Sequence, residues 1–270
     1  MWLLEKEIKH PENDMKIRHA LKTLGVDYVE IDKRPFERLD ANTLDNREFD
    51  FVYGSTNLIE DLMGEVSGIY FNEDNFNYKT WSEHYGEHLF NNPQESQIMT
   101  IGNARDAVME AERLYFMRPV KDLKSFSGTV VDKKEFMTFI EEVKAGKYTA
   151  LNNDIEIVLA PAYKIEKEWR CFMVDGEIAT ASQYRNNGNL EITRANIPEE
   201  VKAFAKSMAQ IWSPEKIFTL DVGLSKNTFY IIEAQCANTS GFYDCDIEAL
   251  VNHINKVPKN EKRSGHIPRF

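Results

Sequence analysis

Two carboxylates in the last quarter of the chain have the types and the spacing of a metal site. Asp221 lies in the segment FTLDVGLS and Glu233 in TFYIIEAQ. Only Lys226 and Asn227 separate the two segments. Apolar residues alternate with polar or small ones over residues 218–224, which predicts a half-buried strand and, with the return segment, a β-hairpin. Because an isolated buried charge is costly, Glu233 among apolar neighbours must be paired or bound to a metal.

The length of the connection decides whether the two carboxylates meet. A three-residue loop, residues 226–228, would place Asp221 opposite or diagonal to Glu233, whereas an even loop would separate them. The amides Gln235 and Asn238 follow closely. Oxygen ligands with no His or Cys among them suit magnesium held together with substrate phosphates. A buried acid satisfied by an arginine or by backbone donors is the alternative that the hairpin leaves open.

Composition limits the class of protein. The 270 residues carry 33 Lys and Arg against 44 Asp and Glu, a net charge of −11, which argues against bulk nucleic-acid binding. The opening MWLLEKEIKH has too short an apolar run for a secretory or membrane-spanning segment, so we expect a soluble, cytoplasmic protein. Cys171, Cys236 and Cys245 are odd in number and have no zinc spacing, which predicts reduced thiols.

The first third of the chain has the pattern of an open α/β unit. Strands are predicted at residues 2–4, 28–31 and 51–53, and helices at 14–24 and 57–63. Polar backbone donors follow the third strand, at the position where open sheets usually bind ligands. We therefore expect this unit to precede the part of the chain that carries the carboxylates.

A basic segment precedes the carboxylates in the sequence. The stretch FMRPVKDLKSFSG groups Arg118, Lys121 and Lys124 around Ser and Gly residues. Such a loop can contact phosphates through cationic side chains and backbone donors. An ordinary solvated turn is the alternative interpretation.

A second segment, EWRCFMVDGEIATASQYR, predicts a hairpin with a two-residue turn at Asp-Gly. The pairs expected from this turn are Arg170 with Ala181 and Glu168 with Gln183. Four side chains are then predicted on one face, namely Glu168, Arg170, Gln183 and Arg185. This face is either the polar outside of an antiparallel sheet or a ligand-binding surface. We favour the ligand-binding surface, because planar guanidinium groups suit phosphate or carboxylate.

These segments, in this order, resemble the ATP-grasp superfamily. Within it, they resemble a divergent clade of small phage and bacterial proteins that also includes a eukaryotic assembly factor for translation initiation. The resemblance covers roughly residues 98–245. It implies an α+β ATP-grasp fold, in which an N-terminal open α/β pre-grasp unit precedes two α+β subdomains that enclose a nucleotide cleft. The implied division is residues 1–95, 96–150 and 151–257, with a tail at 258–270.

The resemblance also implies roles for individual residues, with ATP and Mg²⁺ as cofactors. The implied ATP contacts are Arg118, Lys124, Glu168, Arg170 and Arg185, of which Arg170 and Arg185 are catalytic. The implied hinge beside adenine is Val158, Leu159 and Ala160. The implied magnesium ligands are Asp221, Glu233 and an amide from Gln235 or Asn238. Most members have Glu-x-Asn where this chain has Glu-Ala-Gln, so the choice between the two amides stays open.

The activity implied by the resemblance is ATP- and Mg²⁺-dependent joining of a carboxylate to an amine, through an acyl-phosphate and with release of ADP. The two substrates are unidentified, and a protein or peptide is among the possibilities. The alternative is an ATP-binding assembly factor that holds a protein partner and performs no ligation. Neither interpretation involves a nucleic acid or a membrane.

Overall fold

The computed structural model is built from three β-sheets with helices packed against them. The residues that the structure describes are 1–6, 11–34, 37–44, 47–109, 113–121, 126–148 and 151–259. The mixed α/β architecture predicted from the sequence is confirmed.

The N-terminal sheet is parallel, with strand order β2-β1-β3. Its strands are β1 (Trp2–Glu5), β2 (Tyr28–Ile31) and β3 (Phe51–Tyr53). Three helices accompany it, α1 (Pro11–Thr23), α2 (Thr56–Leu62) and α3 (Tyr78–Tyr85). Leu4 packs in one core cluster with α1 and Leu3 in another with α2, so helices cover both faces, as parallel sheets require.

The second sheet is antiparallel, with strand order β4-β7-β5-β6. Its strands are β4 (Gln97–Thr100), β5 (Tyr115–Pro119), β6 (Thr129–Val131) and β7 (Glu156–Pro161), and its helices are α4 (Ile101–Met109) and α5 (Lys133–Lys144). A reciprocal capping box between Asp132 and Glu135 starts α5. Phe136, Ile140 and Val143 then form the buried helical stripe that packs on the sheet.

The third sheet is antiparallel, with strand order β10-β9-β8-β11-β12. Its strands are β8 (Lys167–Val174), β9 (Glu177–Asn186), β10 (Asn189–Thr193), β11 (Ile217–Ser225) and β12 (Thr228–Cys236), and its helices are α6 (Glu199–Ile211) and α7 (Ile247–Ile254). Along β8, Cys171 and Met173 join the core under α6, whereas Phe172 and Val174 join the core under α7. The sheet is therefore buried between two helical layers.

The predicted register of the β8–β9 hairpin is right at the turn and wrong further along the strands. Val174 pairs with Glu177, as the two-residue turn requires. A bulge follows, and it places Arg170 opposite Ser182 instead of Ala181. A bulge inserts one extra residue into one strand, which shifts every later pair.

A second bulge on the same hairpin reassigns Gln183. Glu168 pairs with Arg185, whereas Gln183 lies opposite Trp169. The amide of Gln183 donates a hydrogen bond to Glu191 at 2.7 Å, on the neighbouring strand β10. The prediction that Gln183 shares a face with Glu168 is therefore wrong.

Two expectations from composition also meet the structure. Cys171, Cys236 and Cys245 are all buried and free. Burial raises the pKa of the Cys245 thiol to about 12, which disfavours the reactive thiolate form. In the described part of the chain, no helix has the length and apolar character needed to cross a bilayer.

Candidate nucleotide and metal site

A cavity of about 750 Å³ opens between the second and third sheets. Its walls come from β5 and β6 on one side and from β8, β9, β11 and β12 on the other. Pockets for small molecules commonly measure roughly 300–1,000 Å³. The predicted site residues that line the cavity are Arg118, Glu168, Arg170, Arg185, Asp221, Glu233 and Gln235. The structure therefore brings together residues from all three of the sequence segments.

The two carboxylates meet because of a bulge and not because of an odd loop. The turn of the β11–β12 hairpin is two residues long, Lys226 and Asn227, with φ values of 49° and 62°. By itself, this even loop would separate the carboxylates. A bulge on β12 at Ile232 shifts the ladder by one residue, and Asp221 lies directly opposite Glu233.

Asp221 is buried and forms a two-pronged ion pair with Arg170. Nε of Arg170 donates to one carboxylate oxygen at 2.9 Å and Nη2 to the other at 2.8 Å. The same guanidinium donates to Oε1 of Gln235 at 3.1 Å and to the carbonyl oxygen of Gly241 at 3.2 Å. Burial lowers the pKa of Arg170, but the charge and hydrogen bonds of Asp221 outweigh it and raise this pKa. An acid satisfied by an arginine, the alternative left open above, describes Asp221.

Two tyrosines that sequence analysis missed complete the surroundings of Arg170. The rings of Tyr184 and Tyr243 are stacked, with centroids 4.8 Å apart and planes 7° apart. The guanidinium carbon of Arg170 lies 6.0 Å from the centroid of Tyr184 and 5.1 Å from that of Tyr243. The hydroxyl of Tyr184 donates to Asp221 at 3.4 Å. These rings limit how far the arginine side chain can move.

Glu233 pairs with a second arginine, Arg118, from β5. Nη2 of Arg118 donates to Oε2 of Glu233 at 2.7 Å, and Nη1 donates to the carbonyl oxygen of Ile232 at 3.3 Å. The guanidinium carbon lies 4.8 Å from the ring centroid of Trp81. Arg118 is only 6% exposed, and its Nε has no hydrogen-bond partner in the described part of the chain. A buried donor without a partner on a cavity wall indicates that a ligand atom completes it.

Glu168 is half-buried on the cavity wall, and its surroundings perturb its ionisation. Burial raises the pKa of its carboxyl group above the ordinary value of 4.5. The hydrogen bond from Tyr184 and the charge of Arg185 oppose this effect, whereas Asp221 and Glu233 reinforce it. The net shift is upward, so the folded protein binds this proton more tightly than the unfolded chain does.

We expect Glu168 to make the ligand-free protein less stable as the pH rises. A raised folded-state pKa contributes stability that is present below the unfolded-state value and is lost as the pH rises through the folded-state value. Glu168→Gln cannot ionise. The free energy of unfolding of this variant should therefore gain on that of the wild type from about pH 4.5 upward, and then level off.

Urea denaturation at a series of pH values measures this difference. Glu83→Gln, at an exposed position on α3, is the matched control and should show no such gain. A difference for Glu168→Gln that does not vary with pH would contradict the assignment.

The predicted hinge does not reach the cavity. Val158, Leu159 and Ala160 lie within β7 and are buried. The cavity is lined instead by the residues that follow this strand, Ala162 and Tyr163. Any contact with a base at this position is therefore displaced by a few residues from the predicted one.

The basic segment is described only in part. Lys124 lies outside the described residues. Lys121 lines the cavity and forms an ion pair with Glu73 at 2.5 Å. Of the cations predicted in this segment, Arg118 is the one that the structure places deep in the cavity wall.

The amide of Asn238 is committed to the N-terminal sheet. Its Nδ2 donates to the carbonyl oxygens of Val52 at 2.6 Å and Gly68 at 2.8 Å. Its Oδ1 accepts a hydrogen bond from the backbone N–H of Tyr70 at 2.8 Å, and the residue is fully buried. Asn238 does not line the cavity, whereas Gln235 does. The structure therefore brings only one of the two candidate amides to the carboxylates.

This geometry predicts a structural role for Asn238. Asn238→Ala would leave three buried backbone groups without partners, so we expect it to lower the free energy of unfolding by about 3 kcal/mol. The exposed Asn103→Ala, on α4, should change it little. Chemical denaturation measures both variants. If Asn238→Ala were as stable as the wild type but needed more Mg²⁺ for nucleotide binding, a metal-ligand role would replace the structural one.

The oxygen donors on the cavity wall fit magnesium in chemical type. Asp221, Glu233 and Gln235 offer carboxylate and amide oxygens, the ligands that Mg²⁺ prefers. No group of three or more His, Cys, Asp or Glu residues that could hold a metal ion occurs within the described ranges. A magnesium ion here would therefore share its coordination between protein oxygens and the phosphates of a nucleotide.

Comparison with known families identifies the fold. A family model for an ATP-grasp domain, the one described as family 3 of its clade, matches residues 54–254. The chain belongs to this ATP-grasp family. The match extends beyond both ends of residues 98–245, on which the sequence resemblance rested. The comparisons do not connect this ATP-grasp chain to a eukaryotic assembly factor, and that part of the resemblance stays a prediction.

Solved structures with the same fold include ligases. A D-alanine–D-alanine ligase from Bacillus anthracis complexed with ATP is 14% identical, with a TM-score of 0.57 over 87% of this chain and 86% of the ligase. The macrocyclase MdnC from Microcystis aeruginosa MRC, bound with the precursor peptide MdnA, is 10% identical, with a TM-score of 0.56 over 95% and 99%. The ATP-grasp ligase PsnB, complexed with the precursor peptide PsnA2 and AMPPNP, is 11% identical, with a TM-score of 0.56 over 94% and 95%.

These identities show that the fold is shared and leave the substrates open. A sequence comparison with curated proteins finds no match.

Proposed function

We propose that this ATP-grasp protein is an ATP- and Mg²⁺-dependent ligase that joins a carboxylate to an amine. The observation that carries the proposal is the buried guanidinium of Arg118, whose unpartnered Nε lies on the wall of a cavity that also contains the Asp221–Glu233 pair. A cation and a carboxylate pair facing one cavity match the two needs of phosphoryl transfer, which are neutralisation of phosphate charge and capture of magnesium.

In this proposal, three cations take the phosphates. Arg118 offers its free Nε, and Lys121 lies at the same wall. Arg185 lines the cavity as an exposed side chain, so it can approach a phosphoryl group as it is transferred. Arg170 is different, because its donors are taken up by Asp221, Gln235 and Gly241. Its catalytic role would be indirect.

Magnesium would be held chiefly by Glu233. The Glu233 side chain is 22% exposed, whereas that of Asp221 is 3% exposed and is engaged at both oxygens by Arg170. When bound, the ion supplies positive charge against the oxygens of the transferred phosphoryl group. The apolar end of the cavity, which would receive the base, is lined by Phe90, Phe116, Ala162, Tyr163 and Ile165.

The proposed reaction has two steps and needs no protein nucleophile. A carboxylate oxygen attacks the γ-phosphorus of ATP, and the bond to the β-phosphate oxygen breaks to release ADP. The amine then attacks the carbonyl carbon of the acyl-phosphate, inorganic phosphate leaves, and the amine nitrogen loses a proton. That solved neighbours of this fold were captured with precursor peptides supports testing peptides and proteins as substrates.

Acceptor-dependent release of ADP tests the proposal. The protein is incubated with ATP, Mg²⁺ and pools of amino acids, amines and peptides, and ADP is measured with and without each pool. A ligase releases ADP in response to a pool and forms a product with a new amide bond. Release of ADP that no pool stimulates would overturn the proposal.

The pairing of Arg170 with Asp221 favours one alternative, an ATP-binding assembly factor that holds a protein partner. A carboxylate closed by an arginine can serve a nucleotide-binding site that performs no ligation. Such a protein would bind ATP saturably, and neither acceptors nor Mg²⁺ would increase its turnover. The same assay therefore distinguishes the two functions.

A further inference from the structure

The oxygens that would hold a magnesium ion between Asp221 and Gln235 are already bound by a cation. A guanidinium has five N–H donors, and four of those on Arg170 are engaged within the chain. Two of them take both oxygens of Asp221, and a third takes the amide oxygen of Gln235. Arg170 thus occupies the position that a divalent cation would need.

The surroundings hold this arginine in place. Arg170 is 6% exposed and Asp221 is 2% exposed. The stacked rings of Tyr184 and Tyr243 lie against the guanidinium, and Tyr243 has a φ of 50°, a conformation that side chains rarely adopt. Moving Arg170 away would leave a buried cation and a buried carboxylate, each without its partner. The ion pair is therefore a fixed part of the wall.

We propose that Arg170 is a built-in substitute for one divalent cation, so that this site binds metal through Glu233 and the nucleotide phosphates alone. The inference rests on the proposed function, because it concerns the metal at the same cavity. Asp221 then serves as a positioning residue that orients the arginine. With Asp221 neutralised by Arg170, Glu233 is left as the carboxylate of the pair that can attract a metal ion.

This arrangement makes a prediction opposite to that of a conventional pair of carboxylate ligands. If Arg170 fills a cation position, removing it opens a metal site in which Asp221, Gln235 and Glu233 can all take part. Arg170→Met should therefore gain divalent-cation binding, even without a nucleotide. If Asp221 were already a metal ligand, removing the arginine would add nothing.

Mn²⁺ binding tests the inference directly. Free Mn²⁺ is measured by electron paramagnetic resonance during titration of the wild type and of Arg170→Met, with and without AMPPNP. We expect about one Mn²⁺ per wild-type chain with AMPPNP, and an additional bound Mn²⁺, or at least about a tenfold gain in affinity, in Arg170→Met without it. No gain in Arg170→Met would overturn the inference.

A second variant keeps the test decisive if Arg170→Met does not fold. Asp221→Asn removes the charge but keeps the shape, and it should leave the Mn²⁺ affinity of the AMPPNP complex unchanged. A loss of about tenfold or more would show that Asp221 is a metal ligand and would overturn the inference. If AMPPNP binds to neither protein, the ligase proposal fails, while the nucleotide-free comparison of Arg170→Met with the wild type still decides the role of Arg170.

Discussion

Arg118→Met will weaken ATP binding by about 100-fold, which corresponds to roughly 3 kcal/mol. The reason is geometric as well as electrostatic. The guanidinium of Arg118 is buried on the cavity wall, and its Nε has no partner within the described chain, so a bound phosphate oxygen can complete it without displacing another group. Isothermal titration of ATP into the wild type and the variant measures the loss.

The experiment needs controls for charge and for folding. Arg194→Met removes an exposed guanidinium whose ion pair with Asp246 spans 3.9 Å, and it should leave the affinity for ATP unchanged. Arg118→Lys keeps the charge but loses the fork, so we expect only partial recovery. Glu233 loses its partner in Arg118→Met, so the free energy of unfolding is measured as well. Unchanged ATP affinity in folded Arg118→Met would show that the triphosphate does not bind at this wall.

Glu233→Gln will lower Mg²⁺-dependent turnover of ATP by about 100-fold or more, since a group that stabilises transition-state charge typically contributes this much. In the proposed site, Glu233 is the carboxylate that can reach a metal, because its side chain is the more exposed of the pair. The amide keeps the size of the side chain and can still accept a hydrogen bond from Arg118. A titration of ADP release against Mg²⁺ measures the effect, and the curve of the variant should shift to higher Mg²⁺ concentration.

Glu156→Gln is the matched control for this second prediction. Glu156 is also a carboxylate in an ion pair, with Lys79 at 2.7 Å, but it does not line the cavity. Its Mg²⁺ titration should coincide with that of the wild type. Equal Mg²⁺ dependence in Glu233→Gln and Glu156→Gln would remove Glu233 from the metal site.

Periodicity carried most of what could be predicted about the fold. The alternation around Asp221 and the Asp-Gly turn between β8 and β9 predicted both hairpins, and the helix from Lys133 to Lys144 has the predicted bounds. These patterns are local, because each strand or helix face is written into consecutive residues. Strand β4 was missed because it is a four-residue edge strand in which Gln97 and Ile98 are exposed.

Bulges limited what could be predicted about registers. The odd loop needed to bring the carboxylates together is absent, and yet Asp221 lies opposite Glu233 because Ile232 forms a bulge. On the β8–β9 hairpin, bulges moved Gln183 away from the cavity face and left Tyr184 as the extra residue beside Arg185. A bulge depends on packing across the sheet, so a single segment of sequence carries no clear sign of it.

Long-range partners were the other part that sequence could not supply. Asn238 lies three residues from Gln235, but its hydrogen bonds go to Val52, Gly68 and Tyr70 in the first third of the chain. Tyr243 follows the hairpin and resembles an ordinary apolar position until its ring is seen against Arg170. Only the assembled fold shows which amide faces the cavity and which holds two units together.

A crystal structure of the protein grown with AMPPNP and Mn²⁺ tests the central claim most directly, because anomalous scattering locates the metal independently of the nucleotide. We expect the triphosphate between the second and third sheets, with a phosphate oxygen accepting from Nε of Arg118 and the manganese signal beside Glu233. A nucleotide bound elsewhere, or a manganese signal remote from Glu233, would contradict the account.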